Sequence, residues 1–237
     1  MCEFSPTDKW SLLYRATRDG FGSNEFKPNS SIFNLNDTCL FGSIKLEQYS
    51  NTSLLKSRIL TDRQQCSELI NLCGFSPKDK WTILYRGTRD VFGSDDFHSR
   101  CDGHSNTLII LKANGSSNIF GGFTSVSWQS SANGKWESDA NAFIFSLTNK
   151  ENRPLKMKID PNRHKNAIGC HSGYGPTFGG FFDIKIANNA NTTIKSFSNL
   201  GRTYPHPQYA YGTDEAKSFM AGSYKFQLDE IEVFQRE

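Results

Sequence analysis

Between Thr107 and Val233 the chain alternates apolar and polar residues in runs short enough to be strands. Leu155, Met157 and Ile159 alternate with Lys156 and Lys158, and Phe182, Ile184 and Ile186 with Asp183 and Lys185. Tyr224, Phe226 and Leu228 alternate with Lys225 and Gln227, and Ile231 and Val233 flank Glu232. Successive strand side chains point to opposite faces, so this period gives each strand one buried and one wet face. Thr107–Leu111 and Ile119–Thr124 flank Asn114-Gly115, a hairpin signal because both residues tolerate positive φ. Ala142–Leu147 is apolar enough to lie deep in a core. Of 19 glycines, 16 follow residue 73, where close turns are required. The expected fold is mainly β with minor α: a two-sheet antiparallel β-sandwich flanked by short helices.

A second feature bears on domain organisation. Residues 4–26 and 75–97 are two copies of one phrase, identical at 16 of 23 positions. The second copy runs on into the strand-rich sequence, whereas the first meets Lys27-Pro28, and a proline there ends a helix almost at once. One strand and a helix cap cannot offset their own ordering entropy. The chain therefore divides into a truncated duplicate of the domain start (1–27), an Asn/Ser-rich linker (28–60), an amphipathic helix (61–74) and a sandwich domain (75–237). The duplicate reads as a vestige of tandem duplication or an artefactual join of gene segments, ahead of a strand able to substitute for its twin.

Within that frame the helix at 62–73 starts at a capping-box spacing, Thr61 to Gln64, carries Cys66, Leu69, Ile70 and Cys73 on one stripe, and stops at Gly74. Trp81–Arg86 reads as a strand. Ser94 opens a second helix with Asp95 and Asp96 at the positive end of its dipole, Phe97 and Cys101 lie one turn apart, and Gly103 ends it.

Charge excludes some partners. Lys+Arg number 27 against 24 Asp+Glu, a net +3 with no clustered tail, which argues against a nucleic-acid footprint. The start has no basic segment leading into an apolar run, and no stretch is long enough to cross a bilayer, so a cytoplasmic protein without membrane insertion is expected. The six cysteines then read as reduced thiols.

The residues that could carry chemistry each have a plainer reading. His98, Cys101 and His104 fall within seven residues, yet no second ligand pair completes a structural zinc site, so a capped helix with solvated histidines is expected. Cys170 and His171 are adjacent, and adjacent strand residues face opposite ways, which places a buried thiol beside an exposed imidazole. Gly173–Gly180 has the glycines of a phosphate loop but is followed by strand sequence, so it reads as tight turning stiffened by Pro176. Asp95-Asp96 and Asp214-Glu215 sit at helix starts, and Asp229-Glu230 marks a bulge between strand segments. The tryptophans at 10, 81, 128 and 136 read as core or rim. No catalytic residue, cofactor or metal site is expected; Cys101 and Cys170 stay as candidate redox thiols, whose reactivity needs a low pKa.

Several phrases together resemble the TLDc domain. They are Trp81, Leu84, Tyr85 and Arg86 with Asp90; Gly121 and Gly122 with Trp128; Phe143 and Phe145; Gly179 and Gly180; and Glu232 near the end. Departures are Phe181, where a small or polar residue is usual, and Phe234 in place of a closing tryptophan. The resemblance implies a two-sheet sandwich with flanking helices and no accepted catalytic constellation. It also implies protection against oxidative damage and binding to the cytosolic sector of the vacuolar-type proton ATPase, which would place the protein at endomembranes through a partner. The rival reading is a thiol-based antioxidant or enzyme using Cys101 or Cys170; a third is an interaction module inside an oligomer.

Overall fold

The structure, a computed structural model, describes residues 53–237. The duplicate at 1–27 and the linker up to residue 52 lie outside the described residues. Among the described residues twelve strands form two six-stranded antiparallel sheets. In chain order they are β1 (Trp81–Arg86), β2 (Thr107–Ala113), β3 (Ile119–Thr124), β4 (Lys135–Glu137), β5 (Phe143–Thr148) and β6 (Leu155–Lys158). There follow β7 (Ile168–Cys170), β8 (Tyr174–Phe178), β9 (Ile184–Ala187), β10 (Ser196–Ser198), β11 (Lys225–Phe226) and β12 (Leu228–Arg236). Sheet one has the order β1-β12-β2-β3-β5-β6 and sheet two β11-β10-β9-β8-β7-β4. Among the described residues four α-helices accompany them: α1 (Arg63–Cys73), α2 (Gly87–Asp90), α3 (Ser94–Cys101) and α4 (Asp214–Ser218).

The hairpin at Asn114-Gly115 joins β2 to β3 in the register Thr107↔Thr124, and Gly115 takes φ 69. Ile109, Leu111, Phe120 and Ile144 of sheet one meet Ile168, Phe178, Ile184 and Ile186 of sheet two in the core between the sheets. Gly122 keys the two layers together. A Cβ there would come within 2.7 Å of the Phe178 ring, so only glycine lets that ring enter. Gly121 is demanded from the other side, where a Cβ would lie 1.9 Å from the Ile109 carbonyl oxygen. The indole of Trp128, fully buried, donates to Thr107 Oγ1 at 2.8 Å.

Sheet one is covered on its second face as well. Leu108, Ile110, Phe123 and Phe145 point away from the sandwich into a second apolar cluster with Leu54, Ile59, Leu60, Cys66, Leu69 and Ile70. Strands buried on both faces read as continuous apolar runs, which explains Thr107–Ala113 and Phe143–Thr148. This corrects the boundaries at 60 and 75. Residues 54–60, expected to be linker, are packed, with Leu54 at 0 % and Ile59 at 1 % exposure, and α1 lies on the sheet.

Several local readings shift. The capping residue of α1 is Asp62, whose carboxylate accepts from the Gln65 amide at 2.8 Å, while Gln65 Oε1 accepts from the Thr61 amide at 2.9 Å; the box sits one residue later than the Thr61–Gln64 spacing implied. Gly74 closes the helix at φ 73 as expected, its amide donating to the Asn71 carbonyl. Helix α3 is preceded by Gly93 rather than capped by the Ser94 side chain, and the one-turn α2 was not foreseen. Gly173–Gly180 is not all turn, because Tyr174–Phe178 is itself a strand and Pro176 sits within its irregular register. The bulge at Asp229-Glu230 is present between β11 and the body of β12, and Thr213 caps α4.

Two carboxylates read as outward-facing are buried. Glu232, at 0 % exposure, accepts from Arg86 Nε at 2.7 Å, from the Arg58 amide at 2.9 Å and from Ser57 Oγ. It thereby ties β12 to β1 and to the segment before α1. Asp183, also fully buried, precedes β9 rather than alternating within it. Two aromatics read as inward-facing leave the core. Phe182 lies in a turn at φ 62, and Tyr224 stands before β11 at 40 % exposure.

Candidate functional site

The face of sheet two turned away from the sandwich is the distinctive surface. In β9, Ile184 and Ile186 point inward, so Lys185 points outward. Its register partners are Phe197 on β10 and Thr177 on β8, and Phe197 in turn pairs with Lys225 on β11. At the far side Trp136 of β4 pairs with Gly169 of β7. A Cβ on Gly169 would stand 2.8 Å from the indole, so glycine lets Trp136 settle onto the sheet.

Four rings form a chain across this face. Trp136 meets Phe182 at a centroid distance of 5.6 Å, Phe182 meets Phe197 at 5.8 Å, and Phe197 meets Tyr224 at 5.5 Å. The Lys185 ammonium lies 3.7 Å from the Tyr174 ring centre, 5.2 Å from that of Phe182 and 5.6 Å from that of Phe197. Cation–π attraction holds it there. Two shallow cavities flank Tyr174. One, of about 270 Å³, is lined by Lys135, Trp136, His171 and Phe182 among others. The other, of about 280 Å³, is lined by Lys185, Asn188, Thr193 and Lys195 among others.

The turn that presents Phe182 is locked from below. Asp183 accepts backbone N–H bonds from Gly201, Thr203 and Tyr204, each at 3.2 Å. Burial pushes its carboxyl up to about 6, against the pull of the Tyr204 and Thr203 amides. Gly179 takes φ 82, and a Cβ there would come within 2.0 Å of Asp183 Oδ2, which accounts for the glycine. Phe181, at 43 % exposure, leaves the same turn on its other side, with the Arg202 guanidinium 3.2 Å above its ring centre.

The thiols and imidazoles lie elsewhere. Cys101 and Cys170 have no exposed surface. Burial pushes the Cys170 thiol up to about 11 and raises that of Cys101 further. A protonated thiol is a poor nucleophile, so both sit in surroundings that oppose thiolate chemistry. His98 is not solvated as expected: at 6 % exposure it places Nδ1 2.8 Å from Asp102 Oδ1, and Nε2 3.0 and 3.1 Å from the His171 and Tyr174 carbonyls. It pins α3 to the turn between β7 and β8. His104 instead meets Gln235 Oε1 at 2.9 Å, and Cys101 packs into the core between the sheets. His171 accepts from the Gly173 amide and stacks on Tyr174 at 4.4 Å. No group of three or more His, Cys, Asp or Glu is placed to hold a metal ion among the described residues.

The residues that carried the resemblance pack and tie the fold. Trp81 is buried under sheet one, Tyr85 donates to the Val91 carbonyl at 2.7 Å, and Arg86 pairs with Glu232. Leu84 packs against the core between the sheets, and Phe143 and Phe145 fill the outer cluster. Asp90 accepts from the Arg86 amide and pairs with Arg89 and Arg100; burial pushes its carboxyl up, but these partners outweigh it and hold the pKa below the usual carboxylate range. Gly180 faces Asn166, which a Cβ would crowd at 2.7 Å.

Sequence reasoning did not find the aromatic face, because its rings come from separate segments. The available signal was Ser196-Phe197-Ser198 and Lys135-Trp136-Glu137, single aromatics between polar residues. In β10 both serines point inward and the ring points out.

The molecule is thus a mainly β sandwich with an open aromatic–lysine face and buried thiols. The chain matches the family model of the TLDc domain over residues 54–237 and belongs to that family. The match starts inside the span read as linker, in agreement with the packing of Leu54 and Ile59. No curated protein matches the chain. Among the described residues no helix is long and apolar enough to cross a membrane.

Proposed function

We propose that this chain is a non-enzymatic TLDc protein acting by protein–protein recognition through the outer face of sheet two. Its partner is the cytosolic sector of the vacuolar-type proton ATPase, and its cellular effect is resistance to oxidative stress. It would then be cytoplasmic and reach endomembranes through that partner. The observation that carries the reading is the contrast of faces: sheet one is covered on both sides, while Trp136, Phe182, Phe197 and Tyr224 line the outer side of sheet two. Aromatic side chains in preformed positions are what recognition surfaces use to gain contact area at small entropic cost. The family resemblance supplies the partner.

The experiment is retention of purified pump cytosolic sector on the immobilised full chain, compared with a Trp136→Ala/Phe197→Ala variant. Retention by the wild type and its loss in the variant supports the reading. Equal retention by both chains, or by neither, overturns it.

A further inference from the structure

We propose that the outer face of sheet two docks an acidic segment of its protein partner, with carboxylates on Lys185 and Lys195 and an apolar side chain against Trp136 and Phe182. This rests on the recognition reading above and adds the chemistry of what is recognised.

Charge is the first argument. The residues lining the two cavities beside Tyr174 include Lys135, Lys185 and Lys195 and no carboxylate. Lys135 is neutralised by Glu137 at 2.7 Å. Lys185, Lys195 and Lys225 make no ion pair among the described residues. The surface is thus cationic and uncompensated, and complementary charge across an interface sets both specificity and on-rate.

The second argument is the resting place of Lys185. Its ammonium lies over rings rather than on a carboxylate, so an incoming acid competes with cation–π contacts and no salt bridge has to break. As the ammonium turns to the acid, the Tyr174 ring is uncovered for an apolar neighbour.

The third is preorganisation. Phe182 stands at φ 62, an uncommon conformation for an aromatic residue, and the Asp183 hydrogen bonds hold the turn that imposes it. Trp136 is seated over Gly169. A surface already in its binding conformation loses little entropy on association.

Other occupants fit less well. The ring pairs meet at 56°, 72° and 55°, so they offer no parallel platform on which successive bases could stack. A second copy of the same face would bring lysine against lysine.

The test is fluorescence anisotropy of a labelled Glu/Asp-rich peptide carrying one leucine, titrated with the full chain. Oligouridylate and phosphatidylserine vesicles are run alongside. The expected result is binding that weakens with salt, falls about tenfold or more in Lys185→Glu/Lys195→Glu and in Trp136→Ala, and is unchanged in Lys158→Glu, at an exposed position of β6 in sheet one. Each variant's unfolding midpoint is checked first. Absence of peptide binding, indifference to Lys185→Glu/Lys195→Glu, or equal affinity for oligouridylate or vesicles overturns the inference. Face-dependent peptide binding without retention of the pump sector would sink the choice of pump and leave this inference standing. Retention of the sector lost in Trp136→Ala/Phe197→Ala but unchanged in Lys185→Glu/Lys195→Glu would do the reverse.

Discussion

The two sheets have the same number of strands and are built on different principles. Sheet one has long central strands, seven residues in β2 and nine in β12, and is buried on both faces. Sheet two has strands of two to five residues and one open face. Short strands have few ladder bonds, so sheet two depends on its loops. Asp183 holds the 201–204 segment, and His98 pins the β7–β8 turn. Apolar area on both faces, together with the Glu232 hub, stabilises the first sheet, and buried polar hubs position the loops of the second. On the reading proposed above, stability and recognition then fall to different layers.

The largest effect in sheet one is expected at Glu232. Glu232→Ala leaves Arg86 and the Arg58 amide without their buried acceptor, and should cost about 3–5 kcal/mol in urea unfolding. A cost below about 1 kcal/mol would mean that β1 and the segment before α1 are not held by this residue. Gly122→Ala pushes a methyl into the Phe178 ring and should cost about 1–3 kcal/mol, measured the same way. At the end of α2, Val91 stands at φ 72 and ψ 155, a region that belongs to glycine. The first copy has Gly20 at the equivalent position, and Val91 is 64 % exposed, so Val91→Gly should raise stability by about 1 kcal/mol. Phe197→Ala on the open face should change stability by less than about 1 kcal/mol while abolishing retention of the partner. A larger loss would show that the aromatic row is structural.

Asp183 gives the hub argument a pH signature. Its folded pKa of about 6 lies above the ordinary 3.8, so between those values the folded state holds the extra proton. Stability from this group is greatest below pH 4 and declines as pH rises toward 6. The difference in unfolding free energy between wild type and Asp183→Asn, followed from pH 4 to 7, should show this slope and then level off. A flat difference would mean that folding does not raise the Asp183 pKa.

How much of this was legible depends on what each signal measures. Apolar runs with the Asn114-Gly115 turn reported β2, β3 and β5 of sheet one, and periodicity reported β6 and the stripe Cys66, Leu69, Ile70, Cys73 of α1, because those side chains are apolar and regularly placed. It could not report Glu232 or Asp183, since a carboxylate in an alternating run looks solvated until its donors, Arg86 and the 201–204 amides, arrive from distant sequence. It missed the packing of Leu54 and Ile59, which are isolated among serines and lysines. The candidate site was least legible of all. Phe182 and Tyr224 fit an inward alternation, and only a turn at positive φ and a late strand start put them outside.

The boundaries of sheet two have a further consequence. It ends on one side in β11, two residues long, and on the other in β4, three residues long. Neither rim offers enough free amides and carbonyls to template a strand from another molecule. The row of rings on sheet two is therefore flanked by rims too short for that sheet to extend by adding strands.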